Sequence, residues 1–244
     1  MTEIAVWFLV SLVSSIVQTV SGFGYAIVAL AILPLLIPDI PLIAAEISCI
    51  AVWVSVMNLL RKRNRINYRI IIPELISFLL VQPLAVEMSL RINVRIITAI
   101  LGLVLIAFSF FIFFKPNDLR VPTKWYIGFI AGALSGMIGG MFAISGPPVA
   151  LYLLSSSKDR EEYIETLSFH FVVTSIYVAV IRISMGVLTI SAMPVILVGT
   201  AGLGIGYFVG RKLYARIRDE LFSKCVCIFT GTAGLYYVVV NLIG

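Results

Sequence analysis

Ser21-Gly22-Phe23-Gly24 and Ser145-Gly146-Pro147-Pro148 are the two places where this chain could turn its own backbone on a ligand. Each interrupts a long apolar run. Glycine lets a ligand approach the main chain, serine brings a hydroxyl, and proline starts a helix at a position whose N–H would be unpaired anyway. A helix restarting at such a break offers free N–H groups and the positive end of its dipole, which suits an anion without any buried lysine. The expected binding residues are Ser21, Gly22, Gly24 and Tyr25 at the first break, with Gln18 a turn earlier, and Ser145, Gly146, Pro147 and Pro148 at the second. The plainer reading of either break is a helix kink.

Ionisable residues inside apolar runs come next, because each is costly at the centre of a bilayer. His170, the single histidine, would bind a proton that travels with or against the anion, or would simply hydrogen-bond a neighbouring helix. Arg182 is a candidate anion partner, although it lies within a turn of the end of its span and is expected to snorkel outward. Glu46, Glu74, Glu87 and Glu165 stand near span ends and read as interfacial residues, while Asn58 and Gln82 either line a path or pack. Cys49, Cys225 and Cys227 fall in apolar runs and read as packing residues. No metal site and no cofactor is expected. The chain has no His-Glu-x-x-His, no phosphate-binding loop of the Walker type and no Gly-x-Ser-x-Gly, so it is not read as an enzyme. Without an ATP-binding module, its driving force must come from gradients or from a partner chain.

The elements that would position these groups follow from composition. Of 244 residues, 61% are hydrophobic and 12% charged, against about 25% charged in a soluble domain. The apolar excess covers the whole length, so the chain is an integral membrane protein and not a soluble domain with one anchor. The net charge of +6 sits in short loops and forms no stripe, which argues against nucleic acid. No Lys or Arg precedes the first apolar run, so that segment is expected to remain rather than be cleaved as a signal peptide.

Six uninterrupted spans read at the length a bilayer needs: 42–60, 70–86, 96–114, 164–185, 190–209 and 225–243. The runs 4–37 and 125–154 are too long for one ordinary crossing and contain the two breaks. If both are hairpins, the loops holding Lys and Arg divide fifteen to two across the membrane; if each crosses once, they divide almost evenly. The hairpin arrangement is therefore expected. It makes residues 1–115 and 122–244 two halves of opposite orientation with both termini outside, the plan of many secondary transporters. The fold class is all-α membrane, two inverted-topology repeats, each a broken-helix hairpin followed by three transmembrane helices. An offset of 118 sets Gly22 against Gly140 and Leu33 against Leu151. Rows of glycine at 128, 132 and 136, and at 202, 206 and 210, suit close helix packing in lipid.

The stretch Ser135-Gly136-Met137-Ile138-Gly139-Gly140, running into Ser145-Gly146-Pro147-Pro148-Val149-Ala150-Leu151, resembles the TauE/SafE family of membrane anion exporters. So do Gly202-Leu203-Gly204-Ile205-Gly206, Gly210-Arg211-Lys212-Leu213 and Gly234-Leu235-Tyr236. Ser21 to Ala26 and Gln82-Pro83 depart from the pattern in carrying fewer glycines. The resemblance implies export of sulfite, sulfoacetate or a related sulfonate or carboxylate by a protein of a bacterial-type plasma membrane. The expected partners are that anion and the lipid bilayer, with a homodimer and a coupling proton as further candidates. An anion channel of the same architecture and a non-transporting anion-binding subunit are the rival readings.

Overall fold

The computed structural model describes residues 2–21, 24–59, 65–114, 124–214 and 219–242. Among them all regular structure is helical: α1 Thr2–Ser21, α2 Tyr25–Ile32, α3 Ile40–Leu59, α4 Tyr68–Arg91, α5 Val94–Phe114, α6 Trp125–Phe142, α7 Gly146–Ser156, α8 Arg160–Ser184, α9 Met193–Tyr214 and α10 Asp219–Leu242. Six of them are long and apolar enough to cross a membrane (α1, α4, α6, α8, α9 and α10); α3 and α5 are apolar over shorter described stretches. Large apolar side chains cover the outside, among them Leu80, Leu84, Leu197 and Phe208, each more than half exposed. A lipid-facing surface tolerates this, whereas a water-facing one of this extent would associate.

Local sequence explains the helix starts. Asp159 caps α8 by accepting the Glu162 N–H at 2.8 Å, which extends that helix four residues before the expected start at 164. Asn67 caps α4 in the same way, accepting the Ile70 N–H. Both long apolar runs break where the sequence breaks. Gly24, at φ 116°, joins α1 to α2, and Ala143, at φ 56°, ends α6 before α7 begins at Gly146.

Glycines set the helix pairing. On α6, Gly132 lies against the Glu74 carbonyl and Ser77, Gly136 against the Phe78 carbonyl, and Gly140 against Ala85, so α6 runs parallel to α4. On α9, Gly202 lies against the Phe8 carbonyl, Gly206 against Leu12 and Gly210 against Thr19, so α9 runs parallel to α1. A Cβ built on Gly202 would stand 2.5 Å from the Phe8 oxygen, too close for any other residue without separating the helices. Gly102 and Gly234 meet where α5 and α10 cross, and the Ser109 hydroxyl donates to the Cys227 carbonyl at 2.7 Å further along, so this pair is antiparallel. Helix α8 packs on α3 and also on α4, where Tyr177 donates to the Leu79 carbonyl at 2.9 Å. Exchanging α1–α5 with α6–α10 maps this set of pairings onto itself: α4 with α6 becomes α9 with α1, while α3 with α8 and α5 with α10 are unchanged.

The short helices α2 and α7 sit in the interior. On α2, Tyr25, Ile27, Val28, Ala29, Leu30 and Ala31 are all buried, and on α7 so are Gly146, Pro147, Val149, Ala150, Tyr152 and Leu153.

Candidate functional site

The starts of α2 and α7 meet at one cavity of about 60 Å³. Gly24, Tyr25, Ala26 and Ile27 line it from the first half, and Ile144, Ser145, Gly146 and Pro147 from the second. The C-terminal half of α3 contributes Ala51 and Ser55, and the middle of α8 contributes Phe171 and Ser175. Every one of these first-half residues has its counterpart 120 positions later: 24 with 144, 25 with 145, 26 with 146, 27 with 147, 51 with 171 and 55 with 175. Gln18 and Ala143 complete the lining. None of the lining residues is charged, so dipoles and hydroxyls must do any recognition of an ion here.

The two helix starts differ in what they offer. The first intrahelical donor of α2 is Val28, whose N–H meets the Gly24 carbonyl at 3.0 Å, so the Ala26 and Ile27 N–H groups precede the hydrogen-bonded ladder. Gln18 closes the break by accepting the Tyr25 N–H at 3.2 Å, which leaves its amide NH₂ as the group available to the cavity. Helix α7 carries Pro147 and Pro148 in its first turn, and neither has an N–H. Its start therefore offers fewer donors than α2. The Ser135 hydroxyl donates to the Ser145 carbonyl and braces the second break.

Of the expected binding residues, Gln18, Gly24, Tyr25, Ser145, Gly146 and Pro147 line the cavity; Pro148 does not. The Tyr25 phenol is tied to the Ser11 hydroxyl at 2.8 Å, so this residue's main chain, not its hydroxyl, is what a ligand would meet. Gly22 and the side chain of Ser21 lie outside the described residues, as does the side chain of Asn58. Ser55, Phe171 and Ser175 were not foreseen, because they stand on unbroken helices with nothing in the local sequence to mark them.

The ionisable residues are placed quite differently from expectation. Arg182 does not snorkel: it is wholly buried, donating from Nη1 to the Pro41 carbonyl at 2.8 Å and from Nη2 to the Gly140 carbonyl at 2.6 Å. Its side chain points inward because Gly140, near the α6 break, supplies a carbonyl at helix end that needs a donor. Glu46, Glu74 and Glu165 are buried against protein, at 3%, 0% and 4% exposure; of the four, Glu87 alone faces outward, paired with Arg91. Glu165 accepts the Arg65 N–H at 2.6 Å and Asn67 donates to Glu162 at 2.6 Å, which ties the segment before α4 to the start of α8. His170 bonds Glu74 through Nδ1 at 3.0 Å, with both side chains fully buried. Gln82 is buried with both ends of its amide unpartnered among the described residues, and it does not line the cavity.

A larger open vestibule of about 730 Å³ lies elsewhere. It gathers Glu3 from the start of α1, Asp39 and Glu46, Ile92 after α4 and Val94 at the start of α5, and Thr189 between α8 and α9.

Apolar helices of membrane-crossing length, two interior helices that begin at breaks and a small uncharged cavity between them define a polytopic membrane protein of the transport class. The family model for the sulfite exporter TauE/SafE matches residues 7–237, and the chain belongs to that family. A probable sulfite/organosulfonate exporter TauE of Cupriavidus necator is 26% identical over 162 residues, which cover 65% of this chain and 63% of that protein. No solved structure matches the chain.

Proposed function

We propose that this protein is a secondary transporter that exports a small anion of the sulfite or organosulfonate kind through the cavity between α2 and α7. The observation that carries the reading is the lining itself: an uncharged cavity built from the beginnings of two interrupted helices and from matching positions of two halves. Free N–H groups and serine hydroxyls bind an oxyanion by charge-assisted hydrogen bonds without trapping it as a fixed lysine would. Its place beside residues 171 and 175, near the middle of the 25-residue α8, suits a site within the depth of a membrane.

The inverted arrangement is part of the proposal, with halves 1–115 and 122–244. Glu3 and Asp39, at the two ends of the first broken run, line one vestibule together with Ile92 and Val94, which supports a run that returns to the face it entered. Arg65 and Asn67 contact Glu165 and Glu162. Because α4 and α5 lead away from and back to that face, the second broken run also begins and ends on one side, the other one. By the same reasoning, α1 begins and α10 ends on the vestibule face, with the loops rich in Lys and Arg opposite. That distribution makes the vestibule face the outside.

Efflux of labelled sulfite from vesicles containing only this protein tests the function. Saturable efflux with counterflow supports a carrier, linear efflux at channel rates refutes it, and no efflux removes the transport reading. Gly146→Leu should abolish anion binding while the protein still inserts; unchanged affinity would remove Gly146 from the pocket.

A further inference from the structure

Glu74 and His170 join α4 to α8 through one hydrogen bond of 3.0 Å, and neither side chain is exposed. Each keeps a second polar atom without a partner among the described residues, Oε1 on Glu74 and Nε2 on His170. A purely structural acid–imidazole pair would be expected to satisfy these atoms, since orphaned polar groups are costly in a dry interior. The pair is also not remote from the cavity. The His170 ring packs edge-on against Phe171, which lines it, at 5.4 Å between centroids. On its other side His170 meets Phe78 at 5.3 Å, and Phe78 packs at Gly139, next to Ser145.

We infer that Glu74 and His170 form a proton-binding site whose occupancy sets the affinity of the cavity for its anion. The inference rests on the proposed anion site. With one proton shared between carboxylate and imidazole the pair is neutral overall, whichever residue holds it. When that proton leaves, a carboxylate and a neutral imidazole remain, so one uncompensated negative charge stands behind the cavity wall. No described Lys or Arg pairs with either residue. A unit charge roughly 10 Å from a bound anion, at an effective permittivity of about 20, changes its affinity roughly ten-fold. Proton and anion therefore favour each other's binding, and the linkage is reciprocal. A dianion moving with one proton still carries a net negative charge, which a membrane potential negative inside drives outward.

Other titratable groups surround the pair. Tyr152 on α7 is near enough for its phenol to sense the Glu74 charge. Helix α8 also carries Glu162, Tyr163, Glu165 and Tyr177, α3 carries Glu46 and Cys49, and α6 carries Tyr126, which is exposed. Glu87 on α4 is half-exposed, paired with Arg91 and outside both the cavity and the vestibule, so Glu87→Gln is the control.

The test uses the full chain in lipid nanodiscs with methanesulfonate, whose own charge does not change over the pH range. Infrared spectra recorded against pH should show a titrating Glu74 band, a buried carboxylic C=O stretch where Glu74 holds the proton or a shifted carboxylate stretch where His170 does, that disappears in Glu74→Gln and shifts in His170→Gln. Wild-type affinity for methanesulfonate should rise roughly ten-fold on acidification, by the charge argument above. Glu74→Gln should hold the acid-side affinity at every pH, while Glu87→Gln keeps the wild-type response. A pH response that survives in Glu74→Gln, or no titrating band that depends on Glu74, overturns the inference. Wild-type binding that is constant with pH also overturns it, and leaves the transport reading standing. If methanesulfonate binds at no pH while Glu74 still titrates, the anion site and its linkage both fall and only the proton site remains.

Discussion

Ser55 on α3 and Ser175 on α8 stand at matching positions in the cavity lining, which makes them a paired test of the site. Serine to leucine adds two non-hydrogen atoms to the side chain, each filling about the 30 Å³ that a water occupies in the liquid. One substitution therefore consumes about the whole 60 Å³ cavity. An anion excluded from it loses at least two hydrogen bonds that neutral donors make to its charge, worth about 1.5–3 kcal/mol each. A loss of about 3 kcal/mol or more weakens affinity by roughly 100-fold, at about 1.4 kcal/mol per decade. Because the new side chain fills space instead of displacing packed atoms, the unfolding midpoint should move little. Anion titration of purified Ser175→Leu and Ser55→Leu, with thermal unfolding on the same samples, reads both effects. Affinity retained within about three-fold in both variants would refute the cavity as the site; loss in Ser175→Leu alone would refute the equivalence of the two positions.

Gly24→Ala forces an L side chain onto φ 116° and should destabilise the protein by about 1–3 kcal/mol, read as a lower unfolding midpoint; an unchanged midpoint would show that the backbone relaxes freely there. Gly202→Leu should sharply reduce the folded yield, since even a Cβ there would stand 2.5 Å from the Phe8 oxygen; a wild-type yield would mean α1 and α9 need not touch. Asp159→Ala removes the cap of α8 and should cost about 1 kcal/mol while sparing anion affinity, so a large loss of affinity would be unexpected. Arg182→Gln should weaken anion efflux more than Asp159→Ala does at matched folded yield, and equal efflux would take Arg182 off the path.

The breaks and the helical class were legible because glycine and proline act locally: nothing else in an apolar run explains Ser-Gly-Pro-Pro. The pairing of helices was partly legible, since the rows at 132 and 136 and at 202 and 206 do make close contacts, although the partners α4 and α1 could not be named from spacing. The register between the halves was not legible. Matching glycines and leucines suggested an offset of 118, yet the lining pairs stand 120 apart, and only Ser55 with Ser175 are alike. Gly24 with Ile144, Tyr25 with Ser145 and Ala51 with Phe171 share a place and no chemistry. Burial of ionisable residues was misread for a related reason. Distance from a span end says nothing about whether a side chain faces lipid or protein, and Arg182 and Glu74 both face protein.

Arg182 gives the proposed path an order of charge. It holds the carbonyl of Pro41, which lines the vestibule, and that of Gly140, three residues before Ala143 at the cavity. The guanidinium thus bridges the segments that bound the two spaces, and its Nε has no partner among the described residues. A buried cation held only by carbonyls is incompletely compensated, so an anion leaving the neutral cavity toward the vestibule would be drawn to it. Beyond it the vestibule presents Glu3, Asp39 and Glu46. Carboxylates at that mouth lower the local anion concentration and raise the energy of an anion passing them in either direction. An uncharged site, one buried cation and an acidic mouth, in that order, set the heights of the steps an anion would meet on the proposed path, and the gradient across the membrane sets which way it moves along them.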